Sequence, residues 1–150
     1  MGTIYDDLNA QIPSGAFVVN DIDADVDIAS PKYWRIKGSN VGSLNIVALV
    51  TALTAGLLEI YKAPTLTADG TDLTPQLMDQ NTDLTPDSEF AKDSTVSADG
   101  TLIYTQQVPA DYKEVAIPKM IFQKGIEYNI KFTSIADDNK ANLRLVCDEK

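Results

Sequence analysis

The sequence predicts an all-β protein, a jelly-roll-like antiparallel β-sandwich with a short N-terminal arm. Three observations predict it. Apolar residues recur with period two in short runs, as on strands whose side chains alternate between two faces. Turn residues separate those runs, as at Gly38-Ser39-Asn40, Lys124-Gly125 and Asp137-Asp138-Asn139-Lys140. No stretch carries the spacing of a long amphipathic helix.

Residues 1–14 read as an arm, with Tyr5 to Asn9 able to form one helical turn before Pro13-Ser14-Gly15 ends it. Residues 15–150 read as one sandwich domain. Ala16 to Asn20 begin the first strand. Asp21 to Ile28 then alternate acid with apolar, which predicts Ile22, Ala24, Val26 and Ile28 toward the core and four aspartates outward. Four like charges on one face suit an edge strand. Lys32 to Lys37 form the next strand, with Trp34 and Ile36 on one face and Tyr33 and Arg35 on the other. Leu44 to Ala52 and Leu57 to Lys62 read as a hairpin joined near Leu53-Thr54-Ala55-Gly56, although periodicity alone also allows a buried helix over Val47–Leu58. Residues 63–100, rich in Thr, Asp and Pro, read as a long excursion with short strands. Strands follow at Ile103–Val108 and on both sides of Pro118. In Glu127–Phe132 the spacing places Tyr128, Ile130 and Phe132 inward, and in Asn142–Cys147 it places Leu143, Leu145 and Cys147 inward.

A seven-residue segment occurs twice, thirty residues apart: Thr65-Leu66-Thr67-Ala68-Asp69-Gly70-Thr71 and Thr95-Val96-Ser97-Ala98-Asp99-Gly100-Thr101. Two copies are too few for a solenoid. They predict two equivalent turns, since Asp-Gly supplies the positive φ that a tight reversal needs.

The chain of 150 residues has a net charge of −10, unevenly spread. Residues 1–30 hold six acids and no base, and 63–100 hold eight acids and one base. Such acidic zones oppose nucleic-acid binding, which needs a basic footprint; solubility accounts for them simply. The most apolar run, Leu44–Leu58, is about fifteen residues and interrupted by Asn45, Thr51, Thr54 and Gly56, too short for a membrane helix. Met1 to Ala10 lack the pattern of a signal peptide. The lone Cys147 reads as a buried strand residue.

The chemistry-bearing residues assign no catalytic, cofactor-binding or metal site. Without histidine, the triad and imidazole-metal mechanisms are missing. No nucleophile elbow or phosphate loop is present. Asp21-x-Asp23-x-Asp25 invites a calcium loop, but the sixth and twelfth positions hold Val26 and Lys32 in place of Gly and Glu. Asp69 and Asp99 could touch a cation; a turn explains both more simply. Tyr33 and Trp34, as strand neighbours, face opposite ways and cannot together form a sugar platform.

One resemblance extends this reading. Glu59-Ile60-Tyr61-Lys62-Ala63 running into the first repeat, the stretch Leu77–Thr82, the second repeat through Tyr104, Lys124–Thr133 and the Arg144–Glu149 strand resemble, in order and spacing, small virion proteins of tailed bacteriophages. The similarity covers residues 15–150 and is weakest over 105–120. It implies a capsid decoration or cement protein, a homo-oligomer with a trimer as the expected state. Its implied partner is the major capsid protein and its location the outer surface of the phage head, after synthesis in the host cytoplasm. It implies no enzyme activity, cofactor, nucleic acid or membrane. A carbohydrate-binding or host-attachment module, or a tail or neck protein, is the alternative. Residues 1–14 and 63–100 are the expected contact segments.

Overall fold

A computed structural model describes residues 16–81 and 84–149; the arm at 1–14 lies outside the described residues. The strands, in chain order, are β1 (Phe17–Val26), β2 (Lys32–Lys37), β3 (Leu44–Ala52), β4 (Gly56–Lys62), β5 (Thr65–Ala68), β6 (Thr71–Asp72), β7 (Gln76–Leu77), β8 (Glu89–Lys92), β9 (Thr95–Ala98), β10 (Thr101–Val108), β11 (Val115–Phe122), β12 (Glu127–Ser134) and β13 (Asn139–Glu149). The described residues contain no helix.

With β5–β9 set aside, the long strands form two antiparallel sheets, β11-β3-β13-β1 and β10-β4-β12-β2. The first strand pairs with the last, and the chain changes sheet at almost every connection. That winding is a jelly roll. The facing rows hold one core, with Phe17, Val19, Ile46, Val50, Leu143 and Leu145 on one side and Trp34, Ile36, Leu58, Ile60, Ile130 and Phe132 on the other. Each such side chain contributes about 1.5–3 kcal/mol through burial.

The inward rows expected for β2, β12 and β13 are those observed, including the buried Cys147. Two expectations fail. β3 and β4 are not a hairpin; they lie in different sheets and face one another across the core. Both carry alternating apolar rows, and periodicity cannot distinguish neighbours from opposites. The corner between them is clipped by the fully buried Asn139, whose Oδ1 accepts from Thr54 N at 2.8 Å and whose Nδ2 donates to Thr54 O at 2.7 Å.

β1 is also phased differently. Phe17 and Val19 face the core, and the unbroken alternation carries Asp21 inward, 8% exposed, and Ile22 outward, 71% exposed. A register shift against β13 between Asp23 and Val26 reverses the phase, so Val26 is buried while Ala24 and Ile28 are exposed. The edge reading holds for the second half of the strand. β7 covers only Phe17 and Val18, leaving the rest of β1 with β13 alone.

The 63–100 excursion is an insertion between β4 and β10, which pair with each other from Lys62↔Thr101 onward. It leaves β4 through β5, adds β6 and β8 beyond β2, adds β7 beyond β1, and returns through β9. It thereby closes one flank of the sandwich and leaves the β10/β11 flank bare.

Candidate functional site

The doubled segment forms a clasp. β5 and β9 are the two copies, and they pair antiparallel with each other. Ser97 Oγ donates to Thr65 O at 3.2 Å, and Thr67 Oγ1 donates to Thr95 O at 3.4 Å. After each Asp-Gly the chain lands beside the other copy's entry: Thr71 pairs with Lys92, and Thr101 with Lys62. Gly70 and Gly100 sit at φ +93° and +89°, and Ala63 and Asp93, again thirty residues apart, at +55° and +59°. The equivalence therefore spans Lys62–Thr71 and Lys92–Thr101, three residues longer than the sequence match; lysines at equal offsets were the available signal. Lys62 lies beside Tyr128 and Lys92 beside Trp34, so an approximate two-fold axis passes the cross-strand pair Arg35–Asn129.

The turn aspartates bind to strands of the same sheet. Asp99 accepts from Lys131 Nζ at 3.1 Å and from Tyr33 OH at 3.2 Å. Lys131 also lies over the Tyr33 and Tyr61 rings at 5.6 and 6.0 Å. Burial alone would lower the Lys131 ammonium, but Asp99 and Tyr33 outweigh it and its pKa is raised. Arg35, buried on the outer face of β2, meets Glu127 at 2.8 Å, Glu89 at 3.4 Å and Asp69 at 3.8 Å. Asp69 and Asp99 thus act as turn residues tied to cations of the chain itself.

The aspartate run of β1 divides into two groups. Asp21 and Asp23 point at the flank closed by the insertion. Trp34 Nε1 donates to Asp21 Oδ2 at 2.8 Å, and the buried Lys32 meets Asp93 at 2.6 Å, Asp23 at 3.0 Å and Asp21 at 3.5 Å. Lys92 reaches Asp21 from β8 at 3.5 Å. Burial would lower the Lys32 pKa; hydrogen bonds to Asp93 and Asp23 raise it on balance. Burial would raise Asp23; the Asp25 N–H and Lys32 hold it below its ordinary value.

Asp25 and Asp27 instead gather with Asp138, their oxygens within 4.8 Å of one another. Repulsion, chiefly from Asp27, raises the pKa of the Asp25 carboxyl. This corner offers a cation carboxylate oxygens alone, and it differs from the Asp21-x-Asp23-x-Asp25 set that the sequence suggested.

The two outer faces differ. The clasp lies over the β2/β12 face. Among the described residues no layer covers the β1-β13-β3-β11 face, and its cross-strand rows run Val18–Val146–Val47 and Asn20–Arg144–Leu49–Ala116, flanked by Ile22 and by Ile121, 66% exposed. Arg144, within that second row, meets Glu114 at 3.6 Å. Among the described residues, no helix is long and apolar enough to cross a membrane.

No family model matches the chain, and no curated protein matches it. A solved structure described as "KBV activated particle at acidic pH" is similar at 15% identity over 80% of this chain, with a TM-score of 0.25. This chain covers 48% of that one. A likeness at that level carries no argument.

Proposed function

We propose that the protein is a structural component of a tailed-phage particle. It binds the outer surface of the capsid and stabilises the assembled head, and it works as a homo-oligomer. The observation that carries this reading is the sheet face that no described residue covers, with its valine row and with Ile22 and Ile121 open to solvent. Large apolar side chains left exposed on a broad sheet face mark protein contact sites. A cement protein needs a broad complementary surface and no chemistry, and it stabilises the shell because it binds the assembled form. The ordered, self-paired repeat supports the same reading, since it makes the family-like segment a rigid part of the module.

Heads assembled without the protein should break at lower temperature and under milder osmotic shock, and adding the purified protein should restore them. Ile22→Asp should abolish that rescue while leaving the fold intact. Heads equally robust with and without the protein would reject the reading. A few copies per particle, in place of hundreds, would move it to the tail or neck.

A further inference from the structure

The edges of the two sheets are not equally protected. On one flank the insertion covers them: β7 meets β1, while β8 and β6 extend the sheet beyond β2. The terminal pieces there, β6 and β7, are two residues each, and short edges recruit partners poorly. On the other flank β11 carries Pro118, which has no N–H to offer, with an exposed Lys119 and a register shift between Ile117 and Met120. Proline, lysine and bulges are the usual guards of an exposed edge.

β10 has little such protection. Among the described residues it pairs with β4 alone, on one side. Its sequence, Thr101-Leu102-Ile103-Tyr104-Thr105-Gln106-Gln107-Val108, contains no charge, proline or glycine. A register shift lies near its start, after which Tyr104–Val108 run in regular register against Ile60–Gly56. Leu102 and Ile103 are 47% and 42% exposed. A row of unpaired N–H and C=O groups calls for another extended strand.

Charge selects the occupant. The chain carries −10 overall, yet Ser94–Ala110 holds a single charged residue, Asp99, already tied to Lys131 and Tyr33. Asp21 and Asp23 of β1 lie toward the opposite flank, against Lys32 and Lys92. Two copies meeting β10 to β10 would bring neutral surfaces together and keep their acidic flanks apart. Antiparallel pairing about a two-fold axis at Thr105 sets that threonine against its own copy and Tyr104 against Gln106, and such pairs need no opposite charge. A partner recognised by its charge would find nothing to read on this strand.

We propose that β10 is a self-association edge. It pairs with β10 of a second copy across a two-fold axis, so that the clasped sheet runs continuously through a dimer. The contact is two-fold, unlike the trimer that the family resemblance implies. It is independent of the capsid reading, because free protein suffices to test it.

Sedimentation of the full chain from about 1 to about 100 µM should show a monomer–dimer equilibrium, in the weak range expected of a small interface. Added salt should favour the dimer, since screening relieves repulsion between two acidic copies. Hydrogen exchange at the two ends of that range should show Tyr104–Val108 amides slowed only at high concentration. Thr105→Lys puts like charges face to face at the seam and should weaken the dimer by about tenfold or more. Position 105 lies opposite Glu59 on β4, so the monomer should melt unchanged. A monomer throughout, a trimer, or a dimer without concentration-dependent protection in β10 would overturn the proposal. The exchange result on the unsubstituted chain decides even if the lysine variant fails to fold.

Discussion

Replacing Gly70 and Gly100 by alanine tests whether the doubled segment is a reciprocal clasp. At φ +93° and +89° an L-residue is strained, at about 1–2 kcal/mol per residue. Space is also missing. A Cβ on Gly70 would fall onto the Lys92 carbonyl and lie 2.9 Å from Ser94 N, and one on Gly100 would lie 2.8 Å from Ala63 O. Those neighbours are backbone, so they cannot swing away, and overpacking of this kind costs about 1–3 kcal/mol. Each substitution should therefore cost roughly 2–5 kcal/mol, a large share of the roughly 5–15 kcal/mol that holds a domain together. At this chain length that lowers Tm by about 2–4 °C per kcal/mol. Fluorescence of the sole tryptophan, the buried Trp34, follows unfolding. The decisive quantity is the double variant. Each glycine seats on the other copy's entry, and both seats hold the same β5–β9 ribbon. Once one is lost the second should matter less, giving a coupling of about 1 kcal/mol or more. Single losses under about 2 °C would refute the steric argument, and additivity within about 0.5 kcal/mol would refute the clasp.

Four further outcomes follow from the same geometry. Asp21→Ala should cost about 2–4 kcal/mol in urea denaturation with an unchanged m-value, because it strands the Trp34 N–H and removes a counter-charge from buried Lys32; Asp21→Asn, which can keep the indole bond, should cost less. Stability should be flat in mid-range and fall at both ends of the pH scale. Asp23, held below its ordinary 3.8, contributes above that pH and loses its contribution as acid is added, while Lys32, raised above 10.5, contributes below that pH and loses its contribution as pH rises further; Tyr61, pushed up to about 12 by burial and Glu59, adds to the alkaline loss above pH 10. The raised Asp25 has the opposite sign to Asp23, so Asp25→Asn should raise Tm at pH 7 and have little effect below its titration, and a Tm that falls in the neutral variant would count against repulsion among Asp25, Asp27 and Asp138. Cys147, buried with its thiol pKa driven upward by desolvation, should resist thiol reagents in native buffer and react in denaturant; prompt labelling of the native chain would contradict its placement.

The strands with one apolar and one polar face were legible. Tyr128-x-Ile130-x-Phe132 and Leu143-x-Leu145-x-Cys147 could face only one way. β1 departs from its expected phase because Asp21 and Asp23 fall on the same side as the core residues Phe17 and Val19, with Ile22 outward between them. What puts Asp21 inside is a set of partners from elsewhere in the chain, the Trp34 indole and the Lys32 and Lys92 ammonium groups. Burial of a charge depends on such partners, and no local pattern reports them. The β3–β4 corner was hidden for a related reason, since its clip, Asn139, lies 85 residues from Thr54. The repeat was visible as two turns, and its positive φ values bear that out, but that the copies pair with each other is a tertiary fact. The excursion expected to reach outward is in its described part bound to its own sandwich.

The position of that insertion explains how it is tolerated and what it does to the surface. Its ends leave and rejoin the fold at Lys62 and Thr101, which are direct cross-strand partners. Lengthening a connection whose ends are already held together adds only about 0.6 kcal/mol per doubling of length. The clasp and the β6, β7 and β8 pairings then offset that cost with hydrogen bonds and with the burial of Phe90, which packs edge-on against Phe17 at 5.6 Å. The insertion carries eight acids between residues 63 and 100, and of these Asp72, Glu89 and Asp93 sit on or beside β6 and β8, at the flank toward which Asp21 and Asp23 also point. The opposite flank keeps an uncharged strand edge, and the uncovered face keeps its aliphatic rows. At a net charge of −10 copies repel one another, so the uncharged edge and that face are the surfaces best suited to touch them or a shell. The same insertion that stabilises the fold therefore also directs where the molecule can make contact.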